Sequence, residues 1–209
     1  MKINKCIIIA NGKPPTKKTI KYFVDKGYDT IICADGGANS AKKLGLVPDY
    51  IIGDFDSIHA STIKYFKGKS TFLKYKRQND TDIEKCLKFA IRKNIKETIL
   101  LGATGDRLDH TICNLGIVIK FYKQIKISIV AEKSFLTAHN SDLILKSKAG
   151  ETISLYAFDT KTKITSSRLK YKLSNATLPF GQKESTSNVS ISDVVRLNIS
   201  EGIVFVIRD

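Results

Sequence analysis

The sequence predicts an α/β domain with a parallel sheet, followed by a small all-β domain. Residues 1–130 alternate short apolar runs with helical patterns, the arrangement that gives parallel strands covered by helices. From about residue 127 the helical periodicity gives way to short strand-like pieces separated by Gly, Asn, Ser and Lys, the mark of an antiparallel sandwich or barrel. The domains are placed at 1–130 and 131–209, with the join between residues 125 and 145 because a strand there can serve either half.

Taken in order, "KCIIIANG" reads as a strand ending in a turn, "TIKYFVDKG" as a helix stopped by Gly27, and "TIICADGG" as a second strand and turn. "NSAKKLG" follows as a helix ended by Gly45, then "DYIIGDFD" as a third strand. "TDIEKCLKFAIRK" places Ile83, Cys86, Leu87, Ala90 and Ile91 on one helical face, and Thr81 with Glu84 three residues on gives a capping-box start. "ETILLGATG" is a further strand and "LDHTICNLGIVIKFY" a further helix, so the N-terminal half is Rossmann-like. In the C-terminal half "ISIVAE", "SFLTAHN", "DLILKS", "TISLYAF", "TKITSSRLKYKL", "VVRLNIS" and "GIVFVIRD" are predicted strands of a sandwich-like domain.

Composition narrows the functional classes. The longest apolar runs are five or six residues, far short of the roughly 20 that span a bilayer as a helix, so no membrane is expected. "MKINK" before "CIIIA" imitates a signal peptide, but the apolar part is too short, and a buried first strand is the reading. Cys6, Cys33, Cys86 and Cys113 form no C-x-x-C pair and sit in apolar segments, which fits reduced, buried thiols and a cytoplasmic setting. The three histidines are dispersed and argue against zinc. A net charge of +15 raises nucleic acid as a partner, but only six residues are arginine, the side chain that reads bases and grips phosphate bidentately. The lysines are spread over the whole chain, the pattern of a solvated surface, so nucleic acid is not expected as a partner.

Ligands of an open parallel sheet bind beyond the carboxyl ends of its strands. Three predicted strands end there in polar, glycine-containing turns: "CADGGAN" with Asp35, "GDFDS" with Asp54 and Asp56, and "GATGDRLDH" with Arg107 and Asp109. The turn "QNDTD" before the Thr81 helix adds Gln78, Asp80 and Asp82. Singly, each has an ordinary explanation: Asp80 and Thr81 as a helix cap, Asp35 as an Asp-Gly turn, Arg107 as a surface charge, Asp109 as a favourable charge in a first helical turn. Together, half of all acidic residues fall between positions 35 and 109, and gathering them on one sheet edge costs charge repulsion that a bound divalent cation would offset. If "GDFDS" stays extended, Asp54 and Asp56 point the same way, as two ligands of one Mg²⁺ would. "GATG" offers backbone N–H groups to a phosphate.

These segments resemble the thiamine pyrophosphokinase (thiamine diphosphokinase) family. The matching stretches run in order: "ADGGAN" (34–39), "PDYIIGDFDSI" (48–58), "DTDIEKCL" (80–87), "GATGDRLDHTICNL" (102–115), then "LKYKL" and "TSN" (186–188). The resemblance implies an α/β catalytic domain, a C-terminal β domain that binds the vitamin, and a homodimer with sites formed between subunits. It implies that the thiamine hydroxyl attacks the β-phosphorus of ATP and that AMP leaves. By motif, Asp54, Asp56 and Asp82 are implied to hold Mg²⁺, and Asp35, Asn39, Gly105, Arg107 and Asp109 to line the nucleotide and phosphate region. Gln78 and Asp82, with Ser187 and Asn188 from the partner subunit, are implied to contact thiamine, and Asp82 or Asp109 to accept the hydroxyl proton. Asp106 stands where the family has glycine, and Gln78-Asn79 where many bacterial members have Lys-Asp. Without tryptophan, a stacking partner for thiamine has to be Phe or Tyr, with Phe180 a candidate. Two other readings compete: a nucleotide-sugar transferase with "GDFDS" as its D-x-D, which leaves "GATGDRLDH" and the β domain unexplained, and a lysine-rich RNA-binding protein, whose acidic edge would repel phosphate.

Overall fold

The computed structural model describes residues 4–75, 79–105 and 107–209. The chain divides into two compact units between Glu132 and Lys133.

The first unit carries six strands, β1 (Lys5–Ile9), β2 (Thr30–Ala34), β3 (Tyr50–Gly53), β4 (Thr71–Lys74), β5 (Glu97–Leu101) and β6 (Lys126–Val130). Its helices are α1 (Lys17–Asp25), α2 (Gly37–Lys43), α3 (Ala60–Phe66), α4 (Asp82–Arg92) and α5 (Leu108–Phe121). The strands run in the order β6-β5-β1-β2-β3-β4, every pair parallel. Strands buried on both faces need apolar side chains throughout, which is why Ile7, Ile8, Ile9, Ile32, Ile51 and Ile52 lose all solvent contact. The order reverses between β1 and β5, and the carboxyl ends at such a reversal are where an open sheet leaves a crevice.

Local signals fix the helices. α4 starts at Thr81 with both halves of the capping box in place, Thr81 Oγ1 accepting from Glu84 N and Glu84 Oε2 accepting from Thr81 N. α1 is capped by Thr16, whose side chain accepts from Thr19 N. α3 and β4 belong to neither the alternating nor the helical pattern read from the sequence. Both are short, and β4 is the exposed edge strand, so its side chains carry no full apolar signature.

The second unit has strands β7 (Phe135–His139), β8 (Leu143–Lys146), β9 (Thr152–Ala157), β10 (Lys163–Ser167), β11 (Ala176–Thr177), β12 (Ser185–Val189), β13 (Val194–Ser200) and β14 (Val204–Arg208). Within it the antiparallel order is β12-β9-β14-β7 in one layer and β11-β10-β13-β8 in the other. One apolar cluster joins the layers, with Ile153, Leu155 and Val206 from the first and Ile164, Val195 and Leu197 from the second. β13 alternates buried and exposed residues along its length, as a strand with one wet face does.

Two readings of the sequence are corrected, and one strand that it did not announce is added. The strand predicted across "TKITSSRLKYKL" stops at Ser167, because Arg168 takes a left-handed backbone (φ 67°) that ends the ladder. β12 forms from "STSNV", which lacks apolar alternation, and it carries a bulge between Ser185 and Asn188. Cys113 is exposed on α5, whereas Cys6, Cys33 and Cys86 are buried free thiols as expected. Burial pushes Cys6 up to about 12 and raises Cys33 and Cys86, so all three are inert at neutral pH.

Candidate active site

The turns after β1, β2, β3 and β5 interlock at the carboxyl edge. Gly12 N donates to Gly102 O (2.8 Å) and Lys13 N to Thr104 O (2.9 Å), tying the turn after β1 to the "GATG" turn after β5. A β-carbon on Gly12 would lie 2.5 Å from both Gly102 O and Thr104 O, so only glycine permits that approach. The buried amide of Asn114, from α5, donates to Ala103 O (2.7 Å) and fixes the same turn from below. Gly53 lets the next turn close on the "ADGG" turn, since a β-carbon there would meet Asp35 Cβ at 2.7 Å.

Three carboxylates meet in this crevice. One oxygen from each of Asp35, Asp54 and Asp82 lies within 4.8 Å of the others. Asp35 is 1% exposed and holds a left-handed backbone (φ 39°), a strained conformation for a residue with a β-carbon. Its Oδ2 accepts weakly from Ser57 N (3.4 Å), while its Oδ1 is buried without a hydrogen-bond partner. Burial is the main force raising the Asp35 carboxyl to about 6; the Ser57 N–H opposes it, and the charges of Asp82 and Asp56 with the Asp54 carboxyl add to it. A buried oxygen that lacks a donor, next to two further carboxylates, is the donor set of a hard divalent cation.

The grouping differs from the one expected in one member. β3 ends at Gly53, and Phe55 turns left-handed (φ 69°), so "GDFDS" does not stay extended and Asp54 and Asp56 do not project together. Asp56 is exposed, accepts from Ser57 Oγ (2.9 Å) and lies outside the three-carboxylate group. Asp35, expected beside the nucleotide, takes a place within it. Periodicity could not reveal this, because the departure lies in one backbone angle.

Lys85 is the residue that sequence reasoning missed. It follows Asp82 by three positions on α4, so the two side chains share a face, and Lys85 Nζ donates to Asp82 Oδ1 at 2.8 Å. Burial works against its charge, but Asp82, Asp54 and Asp35 outweigh that and raise its pKa above the ordinary lysine value. The signal was present as the i,i+3 spacing of Asp82 and Lys85 in "TDIEKCL", which puts an acid and a lysine on one helical face. Asp80 is held by Lys88 (2.6 Å), and Glu84 by Lys120 from α5, so the neighbouring acids of α4 are structurally engaged.

The remaining expected residues fall as follows. Asn39 spends its amide on the loop after β3, donating to Ser57 O (3.0 Å) and accepting from His59 N (3.1 Å). Gly105 closes the "GATG" turn beside Lys13 N. Arg107 precedes α5 and forks onto Asp109, with Nε 3.0 Å from Oδ1, and both groups are exposed. The Arg107 guanidinium holds Asp109 down at about 2. Gln78 and Asp106 lie outside the described residues. In the second unit, Ser187 sits exposed at the β12 bulge (φ 53°). Asn188 is buried, accepting from Tyr171 N and Val189 N and donating to Tyr171 O and Ser185 Oγ. Phe180 is 67% exposed and stacks on Phe158 at 6.0 Å. Among the described residues no helix is long and apolar enough to cross a membrane.

Comparison with known proteins identifies the family. Residues 23–131 match the family described as thiamin pyrophosphokinase, catalytic domain, and residues 141–204 the family described as thiamin pyrophosphokinase, vitamin B1 binding domain. The chain is 27% identical over 207 residues to thiamine pyrophosphokinase of Bacillus subtilis (strain 168), covering 96% of each protein. It is 26% identical over 205 residues to thiamine pyrophosphokinase 1 of Oryza sativa subsp. japonica, covering 84% of this chain and 77% of that protein. The crystal structure of thiamine pyrophosphokinase from Bacillus subtilis superposes with a TM-score of 0.87 at 23% identity over 99% of both chains, a likeness of fold. The chain belongs to the thiamin pyrophosphokinase family, and its enzymatic function is the pyrophosphorylation of thiamine.

Proposed function

We propose that the carboxyl edge of the parallel sheet is where a diphosphoryl group passes from ATP to the hydroxyl of thiamine, giving thiamine diphosphate and AMP. The thiamine oxygen attacks the β-phosphorus, the bond from that phosphorus to the oxygen of AMP breaks, and the hydroxyl proton goes to a carboxylate, Asp82 or Asp109. Transfer of this kind needs little covalent help and much charge neutralisation and alignment. The observation that carries the reading is the Asp35–Asp54–Asp82 group with its unpartnered, buried Asp35 oxygen. Asp35, Asp54 and Asp82 would hold Mg²⁺, with Asp56 close enough to act on the charge of Asp35. Bound Mg²⁺ would neutralise phosphate oxygens as the diphosphoryl group leaves AMP.

The chain's own residues set the rest of the site. The "GATG" turn, including Gly105, presents backbone N–H groups to phosphate, and Asn114 holds it rigid. Arg107, exposed and paired only with exposed Asp109 among its described contacts, supplies a cation to the phosphates. Asn39 positions the loop that carries Asp54 and Asp56. The 1–130 domain serves ATP and Mg²⁺, and the 131–209 domain thiamine. Gln78 and the exposed Ser187, the latter from the partner subunit of a homodimer, contact thiamine, and Asn188 shapes the bulge that presents Ser187. The free cysteines support a reducing, cytoplasmic setting. Incubating the protein with ATP, Mg²⁺ and thiamine tests the reading: AMP and thiamine diphosphate in equal amounts are expected, and ADP, or no turnover, overturns it.

A further inference from the structure

Lysine keeps its ammonium in water wherever its flexible stem allows, and the lysines of this chain are mostly surface residues. Lys85 departs from that habit. Its side chain is 5% exposed, and its ammonium is directed into the three-carboxylate group through Asp82 Oδ1 at 2.8 Å. Lys85 is among the buried residues of α4, so its ammonium meets the Asp82 carboxylate with little water to compete for the charge. The charge balance is informative. Three ionised carboxylates and one ammonium leave two net negative charges, which one divalent cation cancels. The ammonium takes up one of the two Asp82 oxygens and leaves Asp35 Oδ1, the oxygen without a partner, open to a cation.

We infer that Lys85 is a positioning residue, a tethered counter-ion that holds Asp82 in place when no metal is present and limits the nucleotide-free site to a single divalent cation. It competes with that cation for the same negative charge, so it stabilises the metal-free protein and weakens metal binding. This rests on the metal-site reading above. A packing role would stabilise both states alike, and a contact to phosphate alone would leave nucleotide-free metal binding unchanged.

The test is a Mn²⁺ titration without nucleotide, read by the electron paramagnetic resonance signal of the free ion, with thermal unfolding measured in parallel. Lys85→Met keeps the length of the side chain, Lys85→Gln keeps a donor to Asp82, and Lys85→Arg keeps the charge. The wild-type protein is expected to bind one Mn²⁺. The Met and Gln variants are expected to bind Mn²⁺ roughly tenfold more tightly, because a competing charge a few ångströms away is gone. Without metal their midpoint of unfolding falls by about 4 °C or more, and saturating Mn²⁺ recovers most of the loss. Lys85→Arg keeps wild-type Mn²⁺ affinity. Unchanged or weaker Mn²⁺ binding in the neutral variants, or variants that stay unfolded with Mn²⁺ present, overturns the inference while leaving the site reading intact. A wild-type protein that binds no Mn²⁺ overturns the site reading itself.

Discussion

At the amino end of the parallel sheet, Glu97 opens β5 between Lys5 at 3.6 Å and Lys126 at 3.1 Å. At the carboxyl end, Asp35 closes β2 among other acids, with one oxygen unpartnered. Both side chains are largely withdrawn from water, and burial opposes ionisation in both. Around Glu97 the Tyr28 hydroxyl and the two lysines outweigh burial and hold the carboxyl below its ordinary range. Around Asp35 burial and the carboxylates of Asp82, Asp56 and Asp54 outweigh the Ser57 N–H, and the carboxyl rises to about 6. The same strand-end chemistry therefore gives a satisfied structural acid at one edge and an unsatisfied one at the other. The unsatisfied edge also carries the strained backbones of Asp35 and Phe55 and the close glycine contacts. Strain and missing partners gathered at one edge mark a site held ready for a ligand.

Substitutions at the two edges should separate activity from stability. Asp54→Asn should lower turnover by about 10³-fold or more, with the circular dichroism spectrum and unfolding midpoint retained, because the proposed role of Asp54 is charge and not packing. Arg107→Ala should cost roughly 10- to 100-fold in kcat/KM for ATP if Arg107 has the proposed role at the phosphates, because the exposed side chain supports no buried element. At the opposite edge, Glu97→Gln should reverse the pattern: a loss of about 1–2 kcal/mol in urea unfolding with kcat within twofold of wild type. A large loss of turnover in Glu97→Gln would erase the contrast between the edges.

The smallest expected effect is on pH dependence. In the metal-free protein the folded Asp35 carboxyl titrates near 6, and the unfolded one near its ordinary 3.8. Between those values the folded state keeps a proton that the unfolded state has released, so stability falls as pH rises through that window and levels off above it. Asp35→Asn should flatten this part of the stability profile, measured by chemical denaturation at a series of pH values with a chelator present.

Much of the fold was legible because its signals are periodic. The buried isoleucine runs of β1, β2 and β3, the apolar face of α4 and the Thr81–Glu84 cap each announce an element. α3, β4, β11 and β12 lack such signals, being short, exposed at an edge, or polar like "STSNV". The candidate site was legible as a set of strand-end turns, of which the structure groups the Asp54 and Asp82 carboxylates with Asp35. Its inner arrangement was not, because it depends on single backbone angles: Phe55 at φ 69° separates Asp56 from Asp54, and Asp35 at φ 39° turns inward. Lys85 escaped notice because a lysine in a helix is ordinarily a solvated charge. The acidic edge, set against a net charge of +15, proved more informative than the positive surplus around it.

The central claim, that Asp35, Asp54 and Asp82 form one divalent-cation site, is tested most directly by crystals grown with Mn²⁺ and examined for anomalous scattering. The account predicts a single strong peak in contact with carboxylate oxygens of Asp35, Asp54 and Asp82. A peak bound by Asp54 and Asp56 without Asp35, or no peak at the carboxyl edge of the sheet, would contradict it.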